Sequence, residues 1–330
     1  FSKGTKLAVV SDQWWQRNRE SMRPYPVVQV PDTRAALTRV GGAWREHLSF
    51  PVLGITGTNG KTSTKDLILR LLSLRYSAFG TKGNLNNDLG VPLTLLDIPR
   101  DAEIAVIEMG ANHAGEIAQL CNICQPTHGL VTSIGKAHLE GFGSLAALAR
   151  TKGELYDAVA ETGVAFVPTD EELCRIESAN NKHKIGYGFL PKPQNGTTEF
   201  HQGMNLAYDE QGRAQFKFDG ASIKLGIPGK PAAIAALAAL TVASHLGIAA
   251  EACRRGIETW PGVRGRVDII STGGITIIDD SYNANPPSMQ AALETLTHFS
   301  SKRRIAILGD MYELGDFAEA EHRKLGEAVQ

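Results

Sequence analysis

Residues 52–62 read Val-Leu-Gly-Ile-Thr-Gly-Thr-Asn-Gly-Lys-Thr, and they decide the fold. The stretch opens on a short apolar run, turns through Gly57 and Gly60, and leads into a helical pattern over 62–74. A buried strand that turns through glycines into a helix is the frame of a phosphate-binding loop. Gly57, Thr58, Asn59 and Gly60 offer backbone N–H groups to phosphate oxygens. The helix start around Lys61, Thr62 and Ser63 adds partial positive charge, Lys61 adds a full one, and the Thr62 hydroxyl is placed to ligate Mg²⁺. The strict pattern wants glycine at position 55, where this chain has Ile55; Gly54 and Gly57 supply flexibility elsewhere. Such a loop specifies a nucleotide and nothing finer. It suits a kinase, a GTPase or a ligase, although no guanine-reading Asn-Lys-x-Asp is found.

Outward from this loop, short β-branched runs stand at 52–55, 104–107, 130–134, 164–167, 275–278 and 305–308. They lack polar alternation, which predicts parallel strands buried on both faces. Helical patterns follow at 62–74, 115–124, 145–160, 232–246 and 288–299. Strand and helix in series predict a layered α/β architecture. From 186 to 224 the chain turns polar, with turn signals at Pro191, Pro193, Asn195-Gly196 and Asp219-Gly220. Residues 216–218 and 222–225 alternate as a hairpin does, so a small antiparallel annex is expected here. A further boundary falls at 261–266, where Gly and Arg precede a new strand.

Composition narrows the function. The chain has 330 residues, enough for two or three domains. Its 34 basic and 35 acidic residues leave a net charge of −1, which argues against a binder of bulk nucleic acid or of anionic membrane. The longest apolar run, 231–244, is about 14 residues, short of the about 20 a membrane span needs. Four cysteines exclude a disulfide scaffold and fit a reducing, cytoplasmic setting. Cys121 and Cys124 have the spacing of half a zinc site, but no second pair exists, so they read as helix-packing thiols.

Two further strand ends carry chemistry. The run 104–107 leads straight into Glu108, a hard oxygen ligand at the carboxyl end of a strand, where open α/β sheets bind their ligands. Another run is followed by His138, on the same sheet edge. The loop 81–90 holds Thr81, Asn84, Asn86 and Asn87, whose amides both donate and accept and suit a sugar, peptide or uridine partner. Lys152, by itself, reads as part of a solvated charged turn.

Together these segments resemble the Mur ligases, the ATP-dependent amide ligases of peptidoglycan synthesis, and most closely the MurF-type branch, which adds D-Ala-D-Ala to UDP-N-acetylmuramoyl-tripeptide. The resemblance rests on 54–65 (GITGTNGKTSTK), 81–96 (TKGNLNNDLGVPLTLL), 108–117 (EMGANHAGEI), 137–144 (AHLEGFGS), 151–155 (TKGEL), 279–289 (DDSYNANPPSM) and 308–315 (LGDMYELG), in family order. It implies three domains: 1–48 as the remainder of a UDP-sugar-binding domain, 49–264 as a central P-loop ATPase domain with the antiparallel annex, and 265–330 as the start of a Rossmann-like domain. The chain opens on Phe1 and closes in a helical pattern, so both ends are expected to be cuts.

The resemblance also implies roles. Lys61 and the loop amides would hold the β- and γ-phosphates of ATP. Thr62 and Glu108 would hold one Mg²⁺ and His138 a second, with Lys152 carried as a carbamate. Thr81, Asn84, Asn86 and Asn87 would face the UDP-muramoyl-peptide. Arg266 and Asp280 would be brought onto the nucleotide by the C-terminal domain and its hinge at 263–267, with Tyr282, Asn283 and Asn285 in the same motif. One departure stands out: where the family has Gly-x-His-Asn-x-x-Asn, with amides on adenine, this chain has Gly229, Pro231, Ala232 and Ala235. The expected function is a monomeric, cytoplasmic ATP-dependent ligase working through an acyl phosphate. The alternatives are a ligase of the same superfamily with another acceptor, or a nucleotide-binding protein that has lost catalysis.

Overall fold

The computed structural model describes residues 4–137, 139–193, 199–301 and 303–329. Its centre is a seven-stranded parallel sheet in the order Ala78–Gly80, Ile104–Glu108, Val52–Thr56, His128–Val131, Val164–Pro168, Lys184–Gly188, Glu199–Gln202. Successive side chains of its strands enter opposite cores. Ile104 and Val106 pack with the helices Lys61–Leu72 and Lys230–His245. Ala105 and Ile107 pack with Gly90–Leu96, Glu116–Cys124 and Leu145–Ala158. Helices on both faces explain why these strands read as unbroken apolar runs.

The expected annex is smaller than its polar stretch. Lys184–Gly188 and Glu199–Gln202 extend the parallel sheet, because each finds a free edge beside the strand before it. Only Met204–Tyr208, Arg213–Phe218 and Ala221–Pro228 form the antiparallel sheet. The expected hairpin is present, with Phe216 opposite Ile223 and the turn at Asp219-Gly220 in the left-handed region. The turn expected at Asn195-Gly196 lies outside the described residues.

Three other expectations need correction. The run 130–134 is a strand only to Val131. Thr132 and Ser133 leave the sheet to bond the phosphate loop instead, with Thr58 N donating to Ser133 O at 2.8 Å. The run at 275–278 is not a doubly buried parallel strand. Ile275–Asp279 pairs antiparallel with Asp268–Thr272, and its Ile275 is 64% exposed. The run 305–308 forms no strand, and Ile307 is 95% exposed. A lone apolar run needs a ladder partner, and none of the described strands lies beside it.

At the other end, Ala8–Ser11 and Val27–Val30 pair in parallel around the helix Asp12–Met22. The next helix, Thr33–Arg45, docks on the central unit. A Cβ on Gly41 would sit 2.6 Å from Pro92 Cβ, so only glycine admits this approach. Buried Arg45 donates to the carbonyls of Cys124, Leu48 and Gln125 at 2.7, 2.6 and 3.0 Å. Among the described residues no helix is long and apolar enough to cross a membrane.

Candidate active site

The strand Val52–Thr56 is buried throughout and delivers the loop 57–60 to the carboxyl edge of the sheet. Gly57 has φ +139°, and a Cβ there would lie 2.1 Å from Thr132 Oγ1, so the loop requires glycine. Gly60, also left-handed at φ +80°, starts the helix Lys61–Leu72. Thr132 Oγ1 in turn donates to Asn59 O at 2.6 Å, and Asn59 N donates to Ser133 Oγ at 3.1 Å. The loop is therefore braced by the neighbouring strand's end. Lys61 Nζ folds back onto the carbonyls of Gly57 and Thr58 at 2.7 and 3.0 Å. Burial lowers its amine to about 8, against the opposing pull of Glu108, and Arg266 lowers it further.

Glu108 is the hub of the site. Its Oε1 accepts from Thr62 Oγ1 at 3.3 Å and from Asn86 Nδ2 at 2.9 Å. Its Oε2 is buried without a hydrogen bond, with Lys65 Nζ 3.7 Å away. Thr81 Oγ1 accepts from Glu108 N at 2.9 Å, and Lys65 donates to Thr81 O at 2.7 Å. A buried carboxylate oxygen with spare lone pairs, next to a threonine hydroxyl, fits a hard divalent cation. Oxygens 3.3 Å apart match neighbouring ligands on Mg²⁺, which holds each at about 2.1 Å. Among the described residues no group of three or more His, Cys, Asp or Glu converges for a metal.

The C-terminal unit closes the cleft. Arg266 Nη2 donates to Thr62 Oγ1 at 3.3 Å, and its guanidinium lies 4.1 Å from the centre of the Tyr282 ring. Val267, in the left-handed region at φ +55°, directs its N–H to Asp280 Oδ1 at 3.2 Å. Burial pushes the Asp280 carboxyl up to about 6. Asn59 and Asn285 exchange two amide hydrogen bonds at 2.9 and 2.8 Å. Asn285 also caps the helix Pro286–His298. The resulting cleft, about 130 Å³, is lined by Thr58, Lys61, Asn86, Glu108, Arg266 and Asp280, with Asn59, Tyr282 and Asn283 at its wall.

Other sequence-derived candidates fall elsewhere. Asn87 Oδ1 accepts from Gly90 N at 2.8 Å, at the start of the helix Gly90–Leu96. Asn84 is exposed, and Thr81 is buried behind Glu108. Ser63 sits in the first turn of the phosphate-loop helix. Lys152 is off the cleft wall, buried in Leu145–Ala158, with Nζ 3.4 Å from Ala111 O and 5.5 Å from the Phe142 ring centre. Burial first, and the charge of Lys61 second, lower its amine to about 7. His138 lies outside the described residues. The two cysteines are packing thiols, with burial pushing Cys124 up to about 12. Ala232 and Ala235 are buried in the helix Lys230–His245. Sequence reasoning missed Lys65, which stands between Thr64 and Asp66 one turn beyond Lys61 and carries no mark of burial in the sequence.

A phosphate loop, a strand-end acid and a C-terminal lid of this order can be compared with known proteins. Residues 55–243 match the family model of the Mur ligase middle domain, and residues 265–330 match that of the Mur ligase glutamate ligase domain. The chain belongs to the Mur ligase family. The UDP-N-acetylmuramoyl-tripeptide–D-alanyl-D-alanine ligase of Bacillus subtilis (strain 168) is 36% identical over 311 residues, 92% of this chain and 66% of that protein. The chain thus spans about two thirds of such a relative's length. The crystal structure of MurF ligase from Thermotoga maritima in complex with ADP superposes with a TM-score of 0.85 at 27% identity, covering 100% of this chain and 81% of that one. A UDP-N-acetylmuramoylalanyl-D-glutamyl-2,6-diaminopimelate–D-alanyl-D-alanyl ligase structure from Acinetobacter baumannii gives 0.79 at 28% identity, covering 98% and 78%. These solved Mur ligases share the α/β architecture with its central parallel sheet.

Proposed function

We propose that this Mur ligase joins D-Ala-D-Ala to UDP-N-acetylmuramoyl-tripeptide at the expense of ATP. The observation that carries the reading is the convergence on Glu108 of the phosphate-loop Thr62, the loop residue Asn86 and, through Thr62, the C-terminal Arg266. One carboxylate thereby touches the nucleotide loop and the acceptor loop together. The likeness to an ADP-bound ligase and to curated D-Ala-D-Ala ligases supports the substrates.

A carboxylate is a poor electrophile, so it must be activated. The acceptor's terminal carboxylate attacks the γ-phosphorus of ATP, the bond to the β-phosphate oxygen breaks, and ADP leaves. The D-Ala-D-Ala amine adds to the acyl phosphate, loses a proton, and the tetrahedral intermediate expels inorganic phosphate. The protein's part is placement and charge neutralisation. Lys61 exchanges the Gly57 and Thr58 carbonyls for phosphate oxygens, which restores the charge that burial disfavours. Arg266, stacked on Tyr282, brings a second cation to the same cleft. Thr62 and Glu108 would hold Mg²⁺, which screens the repulsion between acceptor carboxylate and nucleotide. His138 belongs to the same proposal as a second metal ligand. Lys152 is the proposed carbamate: an amine lowered to about 7 is half neutral near pH 7 and free to add CO₂.

The test is phosphate release by the full-length polypeptide with Mg-ATP, UDP-muramoyl-tripeptide and D-Ala-D-Ala, each omitted in turn. Release that needs all three, with a dipeptide mass gain on the nucleotide sugar, supports the reading. Lys61→Ala should lower turnover about a hundredfold, the scale for one lost transition-state donor. Release with a different amine would replace the dipeptide substrate. ATP binding without release would leave a degenerate nucleotide binder.

A further inference from the structure

Lys65 is a buried charge that the proposed chemistry does not use. It stands one turn after Lys61 on the helix Lys61–Leu72, and its side chain is 6% exposed. Residues four apart share a helix face, so two lysines rise from one side of this helix. Lys61 lines the cleft and folds onto the phosphate-loop carbonyls. Lys65 instead donates to Thr81 O at 2.7 Å and lies 3.7 Å from Glu108 Oε2. A buried ammonium is costly without an anion, and Glu108 is the anion it meets.

The two oxygens of Glu108 have different surroundings. Oε1 meets the hydroxyl of Thr62 and the amide of Asn86, a cleft residue. Oε2 is sealed from solvent and accepts no hydrogen bond, with the ammonium of Lys65 beside it. The backbone around the acid is pinned as well. Glu108 N donates to Thr81 Oγ1, Thr81 N donates to Val106 O at 3.1 Å, and Thr81 O takes the proton of Lys65. Lys65 is thus joined to the acid twice, directly by charge and indirectly through Thr81.

We infer that Lys65 is a positioning residue that reserves Oε2 of Glu108 for itself, leaves Oε1 alone to a cation, and so makes the site select Mg²⁺ over Ca²⁺. The inference rests on the proposal that Thr62 and Glu108 hold Mg²⁺. Mg²⁺ is small and octahedral, keeps several waters, and is satisfied by a single oxygen of a carboxylate beside phosphate. Ca²⁺ takes about six to eight oxygens and readily uses both oxygens of one carboxylate. A cation spanning Oε1 and Oε2 would have to approach the Lys65 ammonium, and like charges repel strongly where water is excluded. A cation on Oε1 beside Thr62 leaves the contact between Oε2 and Lys65 in place. The charge of Lys65 therefore penalises the larger ion's preferred mode of binding and spares the smaller one's.

The test is equilibrium dialysis of the full-length polypeptide against ADP with Mg²⁺ and Ca²⁺ at equal concentration. Free ADP holds metal equally on both sides of the membrane, so the excess on the protein side, read by atomic emission, is protein-bound. The unaltered protein should hold more Mg²⁺ than Ca²⁺, and parity would overturn the selection outright. Lys65→Met should lower the bound Mg²⁺ to Ca²⁺ ratio about tenfold, the scale for a group that acts on a metal ligand. Lys65→Gln keeps a donor for Thr81 O but not the charge. It should lower the ratio as far, and it decides the matter where the methionine variant does not fold. An unchanged ratio in either folded variant, or an equal loss of both metals, overturns the role of Lys65 and leaves the metal site standing. If the unaltered protein binds no metal beyond the ADP control, or if Glu108→Gln leaves the excess unchanged, the metal site fails and this inference with it.

Discussion

The reciprocal amide pair between Asn59 and Asn285 joins residues 226 positions apart and is a direct bond between the phosphate loop and the C-terminal unit. Asn285→Ala removes three interactions. The helix cap to Ser288 N contributes about 1 kcal/mol. Each amide hydrogen bond contributes about 1 kcal/mol. The expected loss is about 3 kcal/mol for Asn285→Ala and about 2 kcal/mol for Asn59→Ala, which keeps the cap. The double variant should cost no more than Asn285→Ala, because the pair can be lost only once. The coupling energy is then about 2 kcal/mol, a factor of about 30. Native-state hydrogen exchange of the amides in Pro286–His298 reads the opening free energy of that unit. Asn285→Asp is the control: it keeps the cap and one acceptor and should cost about 1 kcal/mol. If the two alanine effects add to within about 0.5 kcal/mol, the amides do not couple the two units and the reasoning fails.

Three other perturbations follow from the same geometry. Glu108→Gln keeps the size but removes the charge that faces Lys65 and Thr62; the Mg²⁺ concentration for half-maximal phosphate release should rise more than tenfold, about the scale of one metal-site contact, and an unchanged Mg²⁺ dependence would remove Glu108 from the metal site. Gly57→Ala drives a methyl to 2.1 Å from Thr132 Oγ1 at a φ of +139°. ATP affinity by calorimetry should drop about tenfold or more, the scale of one forced backbone strain. Lys152→Met should stabilise the protein most at low pH. Burial lowers the folded-state amine to about 7 from 10.5, so the penalty is full below pH 7 and is relieved as pH rises toward 10.5. A melting-temperature gain that grows between pH 6 and 9 would contradict this sign.

The phosphate loop was readable in the sequence because its determinants are local: two glycines, a lysine and a threonine between a strand and a helix. Glu108 was readable because a strand end fixes position in a parallel sheet. What sequence left open depends on partners distant along the chain. The apolar run at 275–278 carries no mark of whether its neighbour will be parallel or antiparallel, and its pairing with Asp268–Thr272 follows from the tight turn at Gly273-Gly274. The run 305–308 has strand composition but no strand beside it. The Asn-rich loop showed its capacity for hydrogen bonds, not their allocation: Asn86 faces the acid, whereas Asn87 is taken up by the backbone N–H groups of Leu89 and Gly90. Lys65 was hidden because a lysine on a helix reads as solvated until the opposite buried carboxylate is known. Lys152 looked equally ordinary, and burial is what sets it apart.

The order of strands has a consequence for synthesis. Val52–Thr56 sits between Ile104–Glu108 and His128–Val131, both made after it. Thr56 pairs with Val131, 75 positions later. At about 5–20 residues per second, about 4–15 s elapse between the emergence of those two residues from translation. Throughout that interval the five residues destined for complete burial have no second neighbour, and the loop they deliver has no brace from Thr132 and Ser133. The segment that delivers the phosphate loop is thus made well before it is secured, and any holding factor acting on the nascent chain would find an apolar target there.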